Sequence, residues 1–394
     1  PAFSNGWWLR KSPSVDVNKI IDKVNYLYIS HNHPDHLHIE TLNKFDKNIT
    51  IITPNFKSKS TYKLLNRMGF KKIFLCDFNK IYKLNDKNIY FTLFKSGDFK
   101  DDSGIYFNIN NKKILLNVDC NNLNGGSLPN NIDILLSSYA GGASGFPLCF
   151  EDYTEIDKEL ILNRNKKAQF AMVLNLIKKT NAKYFVPYAG FFSESAPRDK
   201  YILTNNKKNN FNELSEYVRK TKMNVKLVNF EKNDTIRIIK SSNKFSVLKQ
   251  NSSKKLYNIN KKYISKYLEL TKKKYLNKDF ENKIIKYFNN SKFRSNIRLF
   301  IILTNDNFSP KENGYLVNFE KNNFYIEKKS NYLLEKYFNN YSQMKITRFL
   351  MIKVREESFN KVITEKLPWE DLLIGFQCKI KRKPNIYNND FWNN

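Results

Sequence analysis

Apolar and polar positions divide the first half of the chain into short runs of alternating type. Residues 24–30, VNYLYIS, form a buried-strand pattern that enters a polar segment, after which 39–45 resumes with helical spacing. A strand at 50–53, a helix at 60–68 closed by Gly69 and a strand at 72–76 follow. Further strands are expected at 89–94, 104–109, 113–118 and 132–137, with Asn110 and Asn111 turning a hairpin between the second and third. A long helix over 157–180 places Phe170, Val173, Leu174 and Ile177 on one face. It leads to strands at 183–187, 225–228 and 235–238, with a helix at 212–222 between the first two. Strands alternating with helices predict an α/β layered domain.

The pattern changes after residue 241. Ser, Asn and Lys dominate to about residue 262, which marks a linker at 243–262 between a first domain, 1–242, and a second, 263–394. In the second, amphipathic helices around Ile264, Tyr267, Leu268 and Ile284, Tyr287, Phe288 precede strands at 298–303, 314–319 and 323–327 and a helix at 332–340. This predicts a smaller α+β module. No apolar run reaches the roughly 18–20 residues of a membrane-spanning helix.

Composition alters this picture in two places. The 394 residues are 41% hydrophobic and 15% aromatic, enough for two packed cores and too much for disorder. The formal charge of +31 comes mainly from lysine in a chain also rich in asparagine and isoleucine, and compositional drift accounts for it better than a polyanionic partner. Nucleic acid is therefore not the expected partner, although lysines and aromatics interleave over 254–292. The 4 cysteines are far apart, which removes zinc-finger and disulfide frameworks and points to a reducing, cytoplasmic setting.

All 4 histidines lie between His31 and His38. The segment SHNHPDHLH carries H-x-H-x-D-H where a strand turns into a helix. Extended i and i+2 side chains share a face, so His31 and His33 can converge on one cation, and the turn lets Asp35 and His36 address a second. His38 lies past the motif and is not expected to ligate.

This motif resembles the signature of the metallo-β-lactamase fold, an αββα sandwich with metals at its strand ends. The resemblance implies that His31 and His33 serve one metal, Asp35 and His36 the other, with Asp119 bridging. The two later histidine ligands of that fold have no counterpart. Asp98 stands at the first of those places, Tyr188 and Ala189 at the second. An oxygen-rich donor set favours iron, as one or two ions, with zinc as the alternative.

Longer segments are similar to one branch of that superfamily, the CMP-N-acetylneuraminate hydroxylases: PAFSNGWWL (1–9), YISHNHPDHL (28–37), DDSG (101–104), NVDCNNLNGG (117–126), YAGGASGFP (139–147), PYAGFFSESAPRDKY (187–201) and LPWEDLLIGFQ (367–377). The resemblance implies an iron-dependent monooxygenase hydroxylating the N-acetyl group of CMP-N-acetylneuraminate or a related nucleotide sugar. It would use O₂ and an electron-donor protein such as a ferredoxin or b-type cytochrome. Metal-dependent hydrolysis of a phosphoester or amide is the alternative. Gly141, Gly142 and Ser144 in the glycine-rich loop, with Tyr188, Ser193, Glu194 and Arg198, are the candidate substrate-binding residues. The family also has a Rieske 2Fe-2S domain, whose two histidines this chain cannot supply beside its metal site. The cluster is expected on a missing N-terminal domain or a partner, and the first strands of the sandwich are expected to be missing with it.

Overall fold

The computed structural model describes all residues except 1, 11–16, 85–87, 99, 189, 191, 230–234, 240–243, 249–260, 277–279, 342–346 and 393–394. Most of the expected linker and Ala189 lie outside the described residues. A seven-stranded sheet runs in the order Lys226–Leu227, Tyr184–Pro187, Ile134–Ser137, Lys112–Val118, Ser103–Ile109, Ile89–Lys95, Ile81–Lys83. Its first four strands are parallel and the rest antiparallel. Asn110 and Asn111 both take positive φ, as the tight hairpin between Ser103–Ile109 and Lys112–Val118 requires. A second sheet of three parallel strands comprises Tyr26–Tyr28, Thr50–Pro54 and Lys72–Cys76.

Side-chain alternation shows how the two sheets stack. Ile51 packs outward on Leu64 and Leu65 of the Ser60–Arg67 helix, while its neighbour Ile52 packs inward on Phe91, Leu93 and Ile105 of the larger sheet. On the far side of that sheet, Leu115, Leu135 and Phe185 meet Phe170, Val173 and Ile177 of the Glu155–Thr180 helix and Leu214 of the Phe211–Lys220 helix. The layers are therefore helix, sheet, sheet, helix, the αββα sandwich that the motif implied. Both outer helices are fixed at their starts by reciprocal capping boxes, Thr154 with Asp157 and Asn210 with Glu213.

The C-terminal module is built on a five-stranded sheet ordered Tyr325–Ser330, Asn313–Asn318, Ile297–Thr304, Arg348–Arg355, Cys378–Lys383. Leu299 and Ile301 face the helices Phe280–Asn289 and Glu356–Glu365, whereas Phe300 and Ile302 face Asn331–Asn339. The Arg348–Arg355 and Cys378–Lys383 strands and the Glu356–Glu365 helix were not expected from the sequence. In the helix Lys261–Tyr275, Ile264, Leu268, Thr271 and Tyr275 are buried and Lys272–Lys274 lie in its last turn, so this part of the basic stretch forms an amphipathic element.

The two modules share a core. The strand Trp7–Leu9 pairs with Ala2–Phe3 on one side and with Phe192–Ser193 on the other, and Phe3, Trp7, Leu148 and Ile202 pack into the cluster containing Leu299, Phe359 and Phe376. Backbones close to contact at Gly6, where a Cβ would lie 2.0 Å from the Gly375 carbonyl oxygen, so only glycine fits. The hairpin Thr235–Ile239/Lys244–Leu248 straddles the point where composition placed the end of the first domain. No helix among the described residues is long and apolar enough to cross a membrane.

Candidate metal centre

The histidine segment leaves the Tyr26–Tyr28 strand and turns sharply, with the His36 and Leu37 amides both donating to the His33 carbonyl. Leu37, 2% exposed, anchors the turn in the core and leaves the imidazoles facing the end of the larger sheet. Ser103 donates from its hydroxyl to the Ser30 carbonyl at 2.8 Å, tying this loop to the start of Ser103–Ile109. Asp119 follows Val118, whose φ is +57°, a left-handed conformation costly for a β-branched residue and typical of a functional turn. Asn117 steadies that turn, donating to the Cys120 carbonyl and to Ser137 Oγ.

Two overlapping donor groups result, His31 with His33 and Asp102, and His31 with His36 and Asp119. His31 Nδ1 meets Ser30 Oγ at 2.9 Å, leaving Nε2 2.8 Å from His33 Nδ1 and 3.6 Å from Asp102 Oδ1. His36 Nε2 lies 3.0 Å from Asp119 Oδ2 and 3.5 Å from Asp35 Oδ2. His33 Nε2 lies 3.0 Å from Glu370 Oε2.

Electrostatics follow from burial and neighbours. Burial, reinforced by His36 and His33, holds the His31 imidazole well below its usual range, which leaves it neutral with a lone pair to donate. His36 moves the other way: burial opposes its charge, but Asp35 and Asp119 outweigh that and push it up to about 9. Burial pushes the Asp102 carboxyl up to about 6. A proton on His36 balances Asp35 and Asp119 here, and a bound cation would take its place.

Not every expected residue enters these groups. Asp98 is engaged elsewhere, accepting from Asn121 Nδ2 at 2.9 Å and from the Lys100 amide at 3.1 Å, while Asp102 of the DDSG segment reaches His31. His38 stands at the first boundary position of the next helix and its ring pairs with Thr41 Oγ1. Tyr188 follows the Tyr184–Pro187 strand, its hydroxyl buried and without a hydrogen-bond partner, in the field of Asp119.

The expected substrate residues divide. Gly142 and Glu194 come together through Asn206, whose amide nitrogen donates to the Gly142 carbonyl at 2.8 Å and the Glu194 carboxylate at 2.6 Å. Lys208 also donates to Glu194, at 2.6 Å. Gly142 takes φ +78°, and a Cβ there would meet Lys208 Cγ at 2.6 Å. Gly141 is exposed, Ser144 Oγ accepts from the Phe146 amide, and Ser193 Oγ is paired with Ser195 Oγ. Arg198 departs from its expected place. Its side chain is 5% exposed and bound to Asp306, Glu357 and Gln377 of the C-terminal module, so its charge is neutralised inside the protein rather than offered to an anionic ligand.

A cavity of about 390 Å³ borders the back of the histidine loop, between Pro34 and His38 on one side and Tyr267, Tyr275 and Lys361 on the other. Asp102, Glu370, Asn206 and Lys208 were not singled out from the sequence. Asp102 and Glu370 do fall within the DDSG and LPWEDLL segments, the signal that could have marked them.

No family model matches the chain. It is 30% identical over 411 residues to the cytidine monophosphate-N-acetylneuraminic acid hydroxylase of Sus scrofa, covering 100% of this chain and 90% of that protein. The chain belongs to the cytidine monophosphate-N-acetylneuraminic acid hydroxylase family. The Danio rerio member is 30% identical over 409 residues, and the chain spans 66% of its length. Among solved structures, CmlA, a diiron β-hydroxylase from Streptomyces venezuelae, is 13% identical with a TM-score of 0.36, covering 58% of this chain and 45% of that one. That likeness is too remote to bear on the chemistry of this hydroxylase-family chain.

Proposed function

We propose that the chain is the catalytic part of an iron-dependent monooxygenase that hydroxylates the N-acetyl group of CMP-N-acetylneuraminate or a related nucleotide sugar. The observation that carries this reading is the convergence of His31, His33, His36, Asp102 and Asp119 at one sheet end, in a chain of the hydroxylase family. Donors of this type fit iron: three imidazoles, one held neutral, share the site with carboxylates, and oxygen atoms are at least as numerous as nitrogens. His31, His33 and Asp102 would hold one ion, and His36, Asp35 and Asp119 a second where two bind. Bound iron would supply the binding and reduction of O₂.

The chain's own residues do the rest. The cavity beside the histidine loop is of the size that encloses a small-molecule ligand. Tyr267 on its far wall would offer an aromatic face to a base, and Lys274 and Lys361, beside Glu40 and Glu365, the cations of its rim. Gly141 and Ser144, exposed in the loop that Asn206 and Lys208 hold at Gly142, would form a second place for a substrate to meet the chain. Electrons would come from a ferredoxin or b-type cytochrome through a Rieske 2Fe-2S cluster carried outside these residues. The 4 cysteines are all buried and free, as a reducing, cytoplasmic setting would leave them.

The deciding experiment couples metal analysis of anaerobically purified protein to a mass-shift assay on CMP-N-acetylneuraminate with an electron donor and the Rieske domain supplied. Iron together with a product heavier by one oxygen is expected. Stoichiometric zinc, or cleavage products without added oxygen, would overturn the reading.

A further inference from the structure

Glu370, 337 residues beyond His33 in the chain, belongs to the C-terminal module and places its carboxylate 3.0 Å from His33 Nε2. The other ring nitrogen of His33, Nδ1, lies 2.8 Å from His31 Nε2, which is itself 3.6 Å from Asp102 Oδ1. Three donor atoms therefore gather on the Nδ1 side of the ring, and the Nε2–H on the other side is free to donate to Glu370. A ligating imidazole whose second nitrogen donates to a carboxylate is fixed in tautomer and orientation and becomes a stronger donor.

Glu370 is itself held firmly. The preceding Trp369 donates from its indole to Tyr287 Oη at 2.9 Å and packs within 6 Å, centroid to centroid, of Phe288, Phe359 and Phe391. Leu372, on the same short helix, is 1% exposed in the shared core. A carboxylate on so rigid a support can set the orientation of the ring it meets.

We infer that Glu370 is a positioning residue for the metal centre, holding His33 as the Nδ1-ligating tautomer and so making the docked C-terminal module part of metal binding. The inference rests on the proposal that the histidine loop binds metal. Coupling of this kind is reciprocal, so metal should strengthen the contact between the modules as much as the contact strengthens metal binding.

Cobalt(II) titration of the full chain tests it, with Glu370→Ala, Glu370→Gln and, as a control, Arg67→Ala, which removes a hydrogen bond to the Lys366 carbonyl. Glu370→Ala should weaken cobalt binding by about 10–100-fold. Glu370→Gln, whose amide oxygen still accepts, should lose less, and Arg67→Ala should bind like the wild type. In the cobalt-loaded wild type a hyperfine-shifted, exchangeable imidazole N–H proton should be visible by NMR, be lost in Glu370→Ala and persist with a changed shift in Glu370→Gln. Equal affinities across wild type and both Glu370 variants, or an unaltered N–H signal in Glu370→Gln, would overturn the inference while leaving the metal site standing. A wild-type chain that takes up no cobalt would overturn the metal reading and the inference together.

Discussion

At the junction of the modules, Arg198, Arg355 and Lys272 face Asp199, Asp306 and Glu357, three charges of each sign, with contacts of 2.5–2.9 Å. At the histidine loop, His31, His33 and His36 crowd against Asp35, Asp102, Asp119 and Glu370, with ring centroids of His31 and His33 only 4.4 Å apart. Both clusters are largely buried and both join segments distant in sequence. The first is closed: Gln377 and backbone carbonyls take up most remaining donors, leaving Arg198 Nε and Asp199 Oδ2 unpaired. The second is matched by protons alone, His36 being charged between Asp35 and Asp119 while His31 is held neutral. Buried charge matched by fixed side chains sets how two modules sit, whereas imidazoles and carboxylates matched by exchangeable protons can trade those protons for a metal cation.

The largest effect should come from Asp119→Ala. Metal retention measured on purified protein should fall by the ion held at His36, Asp35 and Asp119, while the junction cluster keeps the chain folded. Unchanged metal content would remove Asp119 from the site.

Arg355→Met breaks the closed cluster instead, leaving Asp199 buried without its 2.6 Å partner. Denaturant unfolding should show a loss of about 3–5 kcal/mol, the range for half-broken buried pairs. Metal bound per folded chain should not change. A parallel loss of metal would mean that the two clusters are not independent.

Tyr188→Phe should move two quantities in opposite directions. Removing a buried hydroxyl with no partner should stabilise the metal-free chain by about 1 kcal/mol, while metal affinity falls if that oxygen serves the site. Lower stability of the metal-free variant would show that the hydroxyl has a structural role.

The smallest effect is at the exposed edge, where Arg348 donates to Asp390. Hydrogen bonding from Arg348 holds the Asp390 carboxyl down at about 2, below its unfolded value of about 3.9. Its contribution is therefore complete above pH ~4 and lost as pH falls from about 4 to 2. Solvent screening keeps it under about 1 kcal/mol. Asp390→Asn should flatten acid unfolding slightly over that window, and an unchanged profile would show that the pair adds nothing.

Much of the sandwich was readable because its signals are local. The strand at Lys72–Cys76, the helix at Ser60–Arg67 and the Asn110–Asn111 turn each follow from spacing or backbone preference within a few residues. The Arg348–Arg355 strand was missed, although it is central to its sheet and pairs in parallel with Ile297–Thr304 over eight positions. Its apolar run, Phe349 to Ile352, is of a length at which spacing alone does not separate a strand from a buried helix segment. Asp98 and Asp102 show the same limit within the site: both follow the same strand, and only the turn between them decides which carboxylate faces His31.

The sequence by itself determined the α/β layering, the concentration of every histidine in one strand-to-helix turn, and a resemblance that similarity to the hydroxylases along the whole of this chain bears out. Periodicity, turn chemistry and motif spacing are properties of neighbouring residues. Only the tertiary structure decided that Asp102 joins His31, that Glu370 crosses from the other module to His33, and that Arg198 closes a junction. A carboxylate or guanidinium looks alike wherever it stands in a chain. Its role is set by what the packed layers bring within about 3 Å, the range over which hydrogen bonds and ligation act.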